Sequence, residues 1–328
     1  MHWFSRCTHC ANSSKSDDDA LCVLCSHSTT TTTIVMTRRI SGSYIFLLLI
    51  EFLLLPKNEV ASYRAVAIIH GVLTGSDSMD EISQRIQEKH PGTQVYNTVR
   101  YAGWSSLEPM WRQVEEIGND ILAIGAAYPE GINLLGYSQG GLLARAILQR
   151  FPQHNVKNFI SLSSPQAGQY GTRFLHLIFP DLVCSTAFEL FYSSVGQHTS
   201  VGNYWNDPHH QELYYKYSRF LPFVNNEKIT SNTSTFKEGL TKLQRMVLIG
   251  GPDDGVITPW QSSQFGYYNV NETVVEMRDR GEYQNDLIGL KTLDKNKKLI
   301  LHTVPGIPHF MWHKNMSIVD EFILPYLD

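Results

Sequence analysis

Past residue 62 the chain contains only one cysteine, Cys184, so this larger part of the sequence cannot form an internal disulfide. Its stability must therefore come from packing. The residues that precede Cys184, at positions 179–183, are mostly apolar and include no basic side chain that would lower the pKa of a thiol. We expect Cys184 to be a buried core residue and not a nucleophile.

Charge is also scarce: only 18% of the residues are charged, and the formal net charge is −4. A chain of this kind has no broad basic surface, so we expect no nucleic-acid partner. The 328 residues are 42% hydrophobic and 11% aromatic, which is enough to build one sizeable core. An apolar cavity for a lipid-like ligand would fit the same composition, although a large core explains it equally well.

No apolar run is long enough to cross a membrane comfortably, because Glu51 interrupts the run at residues 44–55. This run follows Met36 and two arginines, and small residues stand at positions 61 and 62, which is the order of a secretory signal peptide. We predict that translation starts at Met36 and that residues 1–62 are an N-terminal extension containing a signal peptide. We expect no stable membrane anchor; an uncleaved anchor and a buried helix are the alternatives.

The other four cysteines form two C-x-x-C pairs near the N-terminus, the spacing of a zinc ribbon. They are Cys7, Cys10, Cys22 and Cys25. The polar segments 13–20 and 28–33 offer little to pack around a metal, so we expect no metal site. A cytosolic zinc protein that begins at Met1 stays open as an alternative, and it competes with the signal peptide, which would have to stand at the N-terminus.

Three Asn-x-Ser/Thr sequons occur in the second half of the chain, at Asn232, Asn271 and Asn315. Such sequons accept N-linked glycans in secreted proteins, and they often occur by chance. We predict glycosylation at the three asparagines, in agreement with the predicted signal peptide.

Apolar strands alternate with amphipathic helices over most of residues 63–328, which predicts a single α/β domain with a mostly parallel, doubly wound sheet. The predicted strands are 65–70, 93–99, 132–137, 158–163, 246–250 and 298–304. The predicted helices begin at Ser78, Leu107, Gly140 and Ser317. Ser78 and Glu81 are predicted to form the capping box of the first helix.

The alternation stops between about residues 165 and 243, where aromatic side chains are frequent. Long insertions in compact domains tend to be functional, and this one would start at the carboxyl edge of the sheet. We predict a helical lid insertion that contacts the substrate. Ordinary helical packing is the alternative.

A G-x-S-x-G motif, Gly136 to Gly140, stands between an apolar strand and an apolar helix. This strand-turn-helix context is typical of the nucleophile elbow of the α/β-hydrolase fold, in which the serine occupies a strained turn. Glycines flank it because side chains there would collide, and the start of the helix directs N–H groups toward a developing oxyanion. The motif predicts Ser138 as the nucleophile of a catalytic domain.

A serine nucleophile needs a base and an acid, which in this fold follow the serine in chain order. Either Asp253 or Asp254, in the loop after strand 246–250, could be the acid; we favour Asp254, although the bare sequence hardly separates the two. His309 follows the last strand, where the base is required, and is favoured over His302 and His313.

The second donor to the oxyanion is expected in the loop after the first strand, where Gly71 lets the backbone pass close to Ser138. We predict that the backbone N–H groups of Val72 and Gln139 form the oxyanion hole. His70, at the start of that loop, is expected to be structural.

At these same positions the chain resembles the lysosomal palmitoyl-protein thioesterases, from Arg64 to the C-terminus. The resemblance is carried by long runs, which makes it specific. They are His70-Gly71, residues 137–141, 160–166, 168–171, 203–205, 207–210, 248–263, Phe265-Gly266, His309 and Trp312-His313.

The resemblance implies catalytic roles for Ser138, Asp254 and His309, and it favours Asp254 over Asp253. It also implies a lysosomal, glycosylated hydrolase that releases fatty acid from S-acyl substrates such as acyl-CoA, a small-molecule lipid substrate, without a cofactor. The chain departs from the family in its cysteine-rich N-terminus and in its single later cysteine. An esterase or lipase acting on oxygen esters and a non-catalytic lipid-binding protein are the alternatives, and the intact triad argues against the second.

Overall fold

The computed structural model describes residues 63–171, 174, 176 and 186–328. The predicted signal peptide, the paired cysteines near the N-terminus and Cys184 all lie outside the described residues. The predictions made for them therefore stay predictions.

The first half of the described chain alternates strands and helices as the sequence predicts. Its elements are β1 (Val66–Ile69), α1 (Asp80–Lys89), β2 (Val95–Asn97), α2 (Met110–Ala126), β3 (Ile132–Tyr137), α3 (Gln139–Arg150) and β4 (Val156–Leu162). The apolar runs of β1, β3 and β4 are buried on both faces, the short edge strand β2 is only partly buried, and α1 and α2 bury one face only.

The predicted capping box at Ser78 is wrong. A 3₁₀ turn over Ser76–Met79 precedes α1, and the Ser78 hydroxyl donates to the carbonyl of Gly75 instead of accepting a helix N–H. The chain already turns tightly before the helix begins, so no side-chain cap is formed at Met79, the residue that precedes α1.

Six parallel strands form the central sheet, in the order β2-β1-β3-β4-β5-β8, where β5 is Arg245–Gly250 and β8 is Leu299–Thr303. All five pairings are parallel. This confirms the predicted parallel, doubly wound α/β fold. Since the strands are parallel, the loops after β1, β3, β4, β5 and β8 all meet at the carboxyl edge of the sheet.

Alternate residues of each strand enter two separate hydrophobic cores, one on each face of the sheet. In β1, Ala67 and Ile69 pack with the residues of α2 and α3, whereas Val66 and Ile68 pack with α1 and the C-terminal segment. Both faces are therefore covered, which is why the strands read as continuous apolar runs.

The insertion between β4 and β5 is helical in its described part. Its helices are α4 (Ala187–Phe191), α5 (Ser200–Tyr204), α6 (Gln211–Tyr217), α7 (Leu221–Val224) and α8 (Thr233–Thr241). The fully buried Arg145 of α3 joins this insertion to the body: it donates to the side chains of Gln166 and Asn225 at 2.8 and 2.9 Å and to the Val224 carbonyl at 3.2 Å. Burial lowers the pKa of Arg145 to about 9.

Shorter elements complete the chain after β5. They are a two-stranded antiparallel hairpin, β6 (Tyr267–Tyr268) and β7 (Val274–Val275), then α9 (Gly281–Gln284), α10 (Leu290–Lys295), β8 and α11 (Met316–Ile318). The predicted closing helix is shorter and less regular than expected. After α11 the turns change to a π turn over Val319–Ile323 and a 3₁₀ turn over Leu324–Tyr326, because Pro325 has no N–H to extend an α-helix. Among the described residues there is no helix both long and apolar enough to span a bilayer.

Candidate active site

Ser138 lies in a strained turn between β3 and α3, with φ 54° and ψ −126°. Glycine is required beside it: a Cβ on Gly136 would lie 2.4 Å from the Gly140 carbonyl oxygen, and a Cβ on Gly140 would lie 2.2 Å from the Ile69 carbonyl oxygen. Such contacts are far inside van der Waals distance, so only glycine allows the strand and the helix to approach this closely. The turn holds the serine at the carboxyl edge of the sheet and the N-terminus of α3.

His309 lies against Ser138, with Nε2 of the ring 3.0 Å from the serine Oγ. On the other side of the ring, Nδ1 is 2.9 Å from Oδ2 of Asp254 and 3.1 Å from Oδ1. All three side chains are buried. In this arrangement the imidazole can accept a proton from the serine hydroxyl, and the carboxylate can stabilise the imidazolium that results.

The loops after β5 and β8 are joined by a backbone hydrogen bond in addition to the contacts between these side chains. The backbone N–H of His309 donates to the carbonyl of Asp254 at 2.8 Å, and the Tyr137 hydroxyl donates to the His309 carbonyl at 2.9 Å. The position of the imidazole is therefore set by its own backbone, and a residue next to the serine helps to hold it.

Asp254 accepts several hydrogen bonds besides those to His309. Oδ1 accepts the N–H groups of Val256 and Ile257 at 3.0 and 2.7 Å, and Oδ2 accepts the Ser163 hydroxyl and, at 2.7 Å, the indole N–H of Trp312. Burial by itself raises the pKa of this carboxyl. The hydrogen bonds and charge of His309, together with the bonds from Ser163 and Ile257, outweigh burial and leave the pKa below its ordinary value. The carboxylate is thereby kept ionised.

The other sequence candidates lie elsewhere. Oδ2 of Asp253 accepts the Gly306 N–H at 2.7 Å, so this carboxylate caps a turn. His302 lies near the Tyr326 hydroxyl, at 2.9 Å, and His313 packs on the ring of Tyr137. Burial lowers the pKa of His313 to about 4. Of these alternatives none is hydrogen-bonded to Ser138.

The loop after β1 passes next to the serine, as the sequence predicts for an oxyanion donor. A Cβ on Gly71 would be 3.2 Å from Cβ of Ser138. The loop is anchored by the Leu73 N–H, which donates to the Ser106 hydroxyl at 2.7 Å. Within the described part of the chain, the N–H groups of Val72 and Gln139 donate to no backbone carbonyl, which leaves both for an incoming oxygen. His70 is structural, since its ring nitrogens contact the carbonyls of Gly71 and Arg100.

Sequence reasoning assigned no role to Ser163 or Trp312, although both contact the acid. Ser163 directly follows β4, the strand that pairs with both β3 and β5, and its backbone is left-handed with φ 44°. Trp312 stands three residues after His309, directly after the 3₁₀ turn over His309–Met311, and its side chain is fully buried. Only the sheet order brings Ser163 to Asp254, whereas the short spacing to His309 was a usable signal for Trp312.

Two further sequence predictions concern sites away from this centre. In the ranges that the structure describes, no three His, Cys, Asp or Glu side chains are grouped as a metal site would require. Asn232 and Asn271 are exposed and Asn315 is partly exposed, so the sequon asparagines are at the surface, and their glycosylation stays a prediction.

Comparisons with known proteins agree with this architecture. The family described as palmitoyl protein thioesterase matches residues 65–309. The lysosomal thioesterase PPT2 homolog of Drosophila melanogaster is 57% identical over 267 residues, which cover 81% of this chain and 93% of that protein. Lysosomal thioesterase PPT2 of Homo sapiens is 43% identical over 295 residues, 88% of this chain and 98% of that protein. Palmitoyl-protein thioesterase 3 of Dictyostelium discoideum is 35% identical over 300 residues, 88% of this chain and 99% of that protein. The chain therefore belongs to the palmitoyl protein thioesterase family, and it is a hydrolase of the α/β-hydrolase fold.

Proposed function

We propose that this protein is a lysosomal thioesterase that hydrolyses fatty-acyl thioesters, palmitoyl-CoA and related S-acyl substrates, through Ser138, His309 and Asp254. The observation that carries the proposal is the hydrogen-bonded series from the Ser138 hydroxyl through the His309 ring to the Asp254 carboxylate. Relatives named lysosomal thioesterases support a thioester as the bond that is cleaved and the lysosome as the compartment.

In the first half-reaction, Oγ of Ser138 attacks the thioester carbonyl carbon while its proton passes to Nε2 of His309. The carbonyl oxygen becomes an oxyanion, which the N–H groups of Val72 and Gln139 bind. The N-terminus of α3 adds its positive dipole at the same place. Asp254 orients the ring and stabilises the imidazolium, and the hydrogen bonds that hold its pKa down keep it charged for that purpose.

Collapse of the tetrahedral intermediate breaks the carbon–sulfur bond. The thiolate leaves, with the proton available from His309, and the acyl group stays on Ser138 as an ester. A thiol has a pKa of about 8.5, so its departure needs less protonation than that of an alcohol. Once the leaving sulfur has taken the proton, His309 is neutral again. In the second half-reaction water attacks the acyl-serine while His309 takes its proton; the bond from the acyl carbon to Oγ of Ser138 then breaks, His309 returns the proton to Oγ, and free fatty acid is released.

The helical insertion, about residues 165–243, is proposed to serve as the lid that binds the acyl chain. It begins directly after β4, at the edge of the sheet where Ser138 lies, and its aromatic side chains form much of the core there. Its attachment to α3 through Arg145 supports a fixed wall beside the nucleophile.

We also propose that residues 63–328 form the mature catalytic domain and that residues 1–62 are removed or bypassed, with Met36 as the start of a signal peptide. Such a signal would deliver the chain to the lysosome or outside the cell. The surface position of Asn232, Asn271 and Asn315 supports their glycosylation along that route.

The test uses protein secreted by cells that express the chain from Met36. Turnover is measured with acyl-CoA thioesters of several chain lengths and with matched oxygen esters, for the native protein and Ser138→Ala. The proposal expects thioester turnover that depends on Ser138 and exceeds turnover of the matched esters. A preference for oxygen esters would leave the triad in place but would replace the thioesterase assignment by an esterase or lipase.

A further inference from the structure

A groove of about 620 Å³ is lined by residues of the helical insertion, and Ser138, His309 and Asp254 are not among them. The segment that ends α6 and the residues around α7 form one side of it, and the turn after α4 forms the other. Its volume is in the range of small-molecule binding sites. We call it the basic groove, after Lys216, Arg219 and Lys228, which line it.

Lys216, Arg219 and Lys228 form no ion pair in the part of the chain that the structure describes, and no carboxylate lines the groove. The chain as a whole has an excess of acidic residues, with 31 Asp and Glu against 27 Lys and Arg. A cluster of three unpaired cations in one groove therefore indicates an anionic ligand.

Aromatic side chains line the same groove. Lys216 Nζ lies 5.1 Å from the ring centroid of Tyr217, and Lys228 Nζ lies 5.0 Å from that of Phe223. Tyr217 is exposed and Phe223 is partly exposed, so a planar ring of a ligand could stack on either. Cations beside exposed rings are the combination that binds a base and its phosphates together.

The wall of the groove is connected to the nucleophile by a short series of contacts. The carbonyl of Arg219 accepts the indole N–H of Trp111, in the first turn of α2, at 2.8 Å. Gln113 of the same helix donates to the Ser106 carbonyl at 2.8 Å, and the Gln139 side chain donates to that carbonyl as well, at 2.8 Å. Gln139 directly follows Ser138. The groove and the serine thus lie on either side of the N-terminus of α2.

We propose that the basic groove binds the phosphorylated nucleotide end of acyl-CoA while the thioester lies at Ser138. This inference rests on the proposed function and assigns the acyl carrier. In CoA the long pantetheine arm separates the phosphates and the adenine ring from the sulfur. A cationic site beside aromatic rings, away from Ser138, matches that separation.

The experiment compares palmitoyl-CoA with palmitoyl-pantetheine, which has the same thioester and no nucleotide. The variant Lys216→Glu/Arg219→Glu reverses two charges on exposed side chains. We expect it to raise KM for palmitoyl-CoA by about tenfold or more, because charge-assisted contacts to phosphate are lost, and to leave KM for palmitoyl-pantetheine unchanged. An equal effect on both substrates, or no effect on either, would overturn the proposal.

A matched control makes the same change of charge elsewhere. Arg245→Glu/Lys295→Glu alters two exposed residues, Arg245 at the start of β5 and Lys295 before β8, at the amino edge of the sheet, opposite to Ser138. It should leave KM for both substrates unchanged. If it raised KM for palmitoyl-CoA as much as the groove variant does, the effect would come from net charge and the groove would not be the site.

Direct binding separates failure of this inference from failure of the proposed function. Calorimetry with adenosine 3′,5′-bisphosphate, adenosine and inorganic phosphate needs no turnover. We expect the bisphosphate to bind the native protein, to inhibit hydrolysis of palmitoyl-CoA competitively, and to lose its affinity in the groove variant. If the bisphosphate bound but the groove variant had an unchanged KM for palmitoyl-CoA, the groove would bind free nucleotide and not the CoA of the substrate. If the bisphosphate did not bind, the site would be refuted, whereas thioester hydrolysis could persist.

Discussion

The indole N–H of Trp312 donates a hydrogen bond at 2.7 Å to Oδ2 of Asp254, the same oxygen that accepts from His309. Both side chains are buried, so no water replaces this bond when it is lost. Asp254 is thus held by a residue that directly follows the turn carrying His309. The arrangement of Ser138, His309 and Asp254 depends on that segment as well as on the three side chains themselves.

Replacing this donor tests its contribution to the site. We expect Trp312→Phe to lower kcat roughly tenfold, equivalent to about 1.4 kcal/mol, with KM nearly unchanged, because the acid loses one of the bonds that fix its orientation. Steady-state kinetics with palmitoyl-CoA give both constants.

The control for this change is Trp205→Phe. Trp205 is also fully buried, and its indole N–H has no hydrogen-bond partner in the described part of the chain. Both substitutions leave a similar cavity, but only the one at position 312 removes a bond to the acid. If the two variants lost the same fraction of kcat, packing and not the hydrogen bond would explain the loss.

The hydroxyl of Ser163 is one of the groups that lower the pKa of Asp254. A carboxyl with a lowered pKa in the folded state stabilises the protein above its unfolded pKa, and the contribution is lost as pH falls through the folded pKa. Ser163→Ala should move that folded pKa upward. Activity and stability should then both begin to fall at a higher pH on the acidic side, as measured by kcat/KM and thermal unfolding across an acidic pH series.

The backbone at Ser163 provides a second variant for the same position. Its φ of 44° suits glycine better than alanine, so Ser163→Gly removes the hydroxyl without the strain. The fall of activity and stability at acidic pH should shift equally in both variants. At neutral pH the alanine variant should be the less stable of the two. A shift seen with alanine alone would assign the effect to strain and not to the hydrogen bond.

The elbow glycines give a prediction about stability. Gly140→Ala should destabilise the fold by about 2–4 kcal/mol, because its Cβ would meet the Ile69 and His70 carbonyl oxygens, at 2.2 and 2.4 Å, and the backbone there cannot move without displacing β1. Chemical unfolding measures the change. Gly281→Ala is the matched control, since its Cβ would be 3.9 Å from the nearest atom, and it should be neutral or stabilising. Equal stability of the two variants would contradict the tight approach at the elbow.

Periodicity was sufficient to locate the central strands. β3, predicted at 132–137, is observed at Ile132–Tyr137, because a fully apolar run between turn signals has few other solutions. Helix ends that depend on tertiary contacts were harder to predict. The start of α1 follows the 3₁₀ turn that Ser78 forms with Gly75, and the closing helix changes its turns before Pro325; neither is encoded in hydrophobic spacing.

The acid illustrates where local sequence reasoning ends. Asp253 and Asp254 occupy one loop and have equal chemistry, so the residues alone hardly separated them. The structure separates them by partners that are distant in the chain: Asp253 accepts from Gly306, and Asp254 contacts His309 and Ser163. Because those partners follow from the order β4-β5-β8 in the sheet, they become visible only once the sheet is assembled.

Trapping the acyl-enzyme shows whether an acyl group is carried by Ser138 during turnover. The protein is mixed with palmitoyl-CoA, quenched in acid on the time scale of one turnover, and digested for peptide mass spectrometry. We expect one palmitoyl group on the peptide that contains Ser138, and none in Ser138→Ala, which should also lose at least about 10³-fold in kcat. A palmitoyl group on another residue, or near-native turnover by Ser138→Ala, would contradict this role of Ser138.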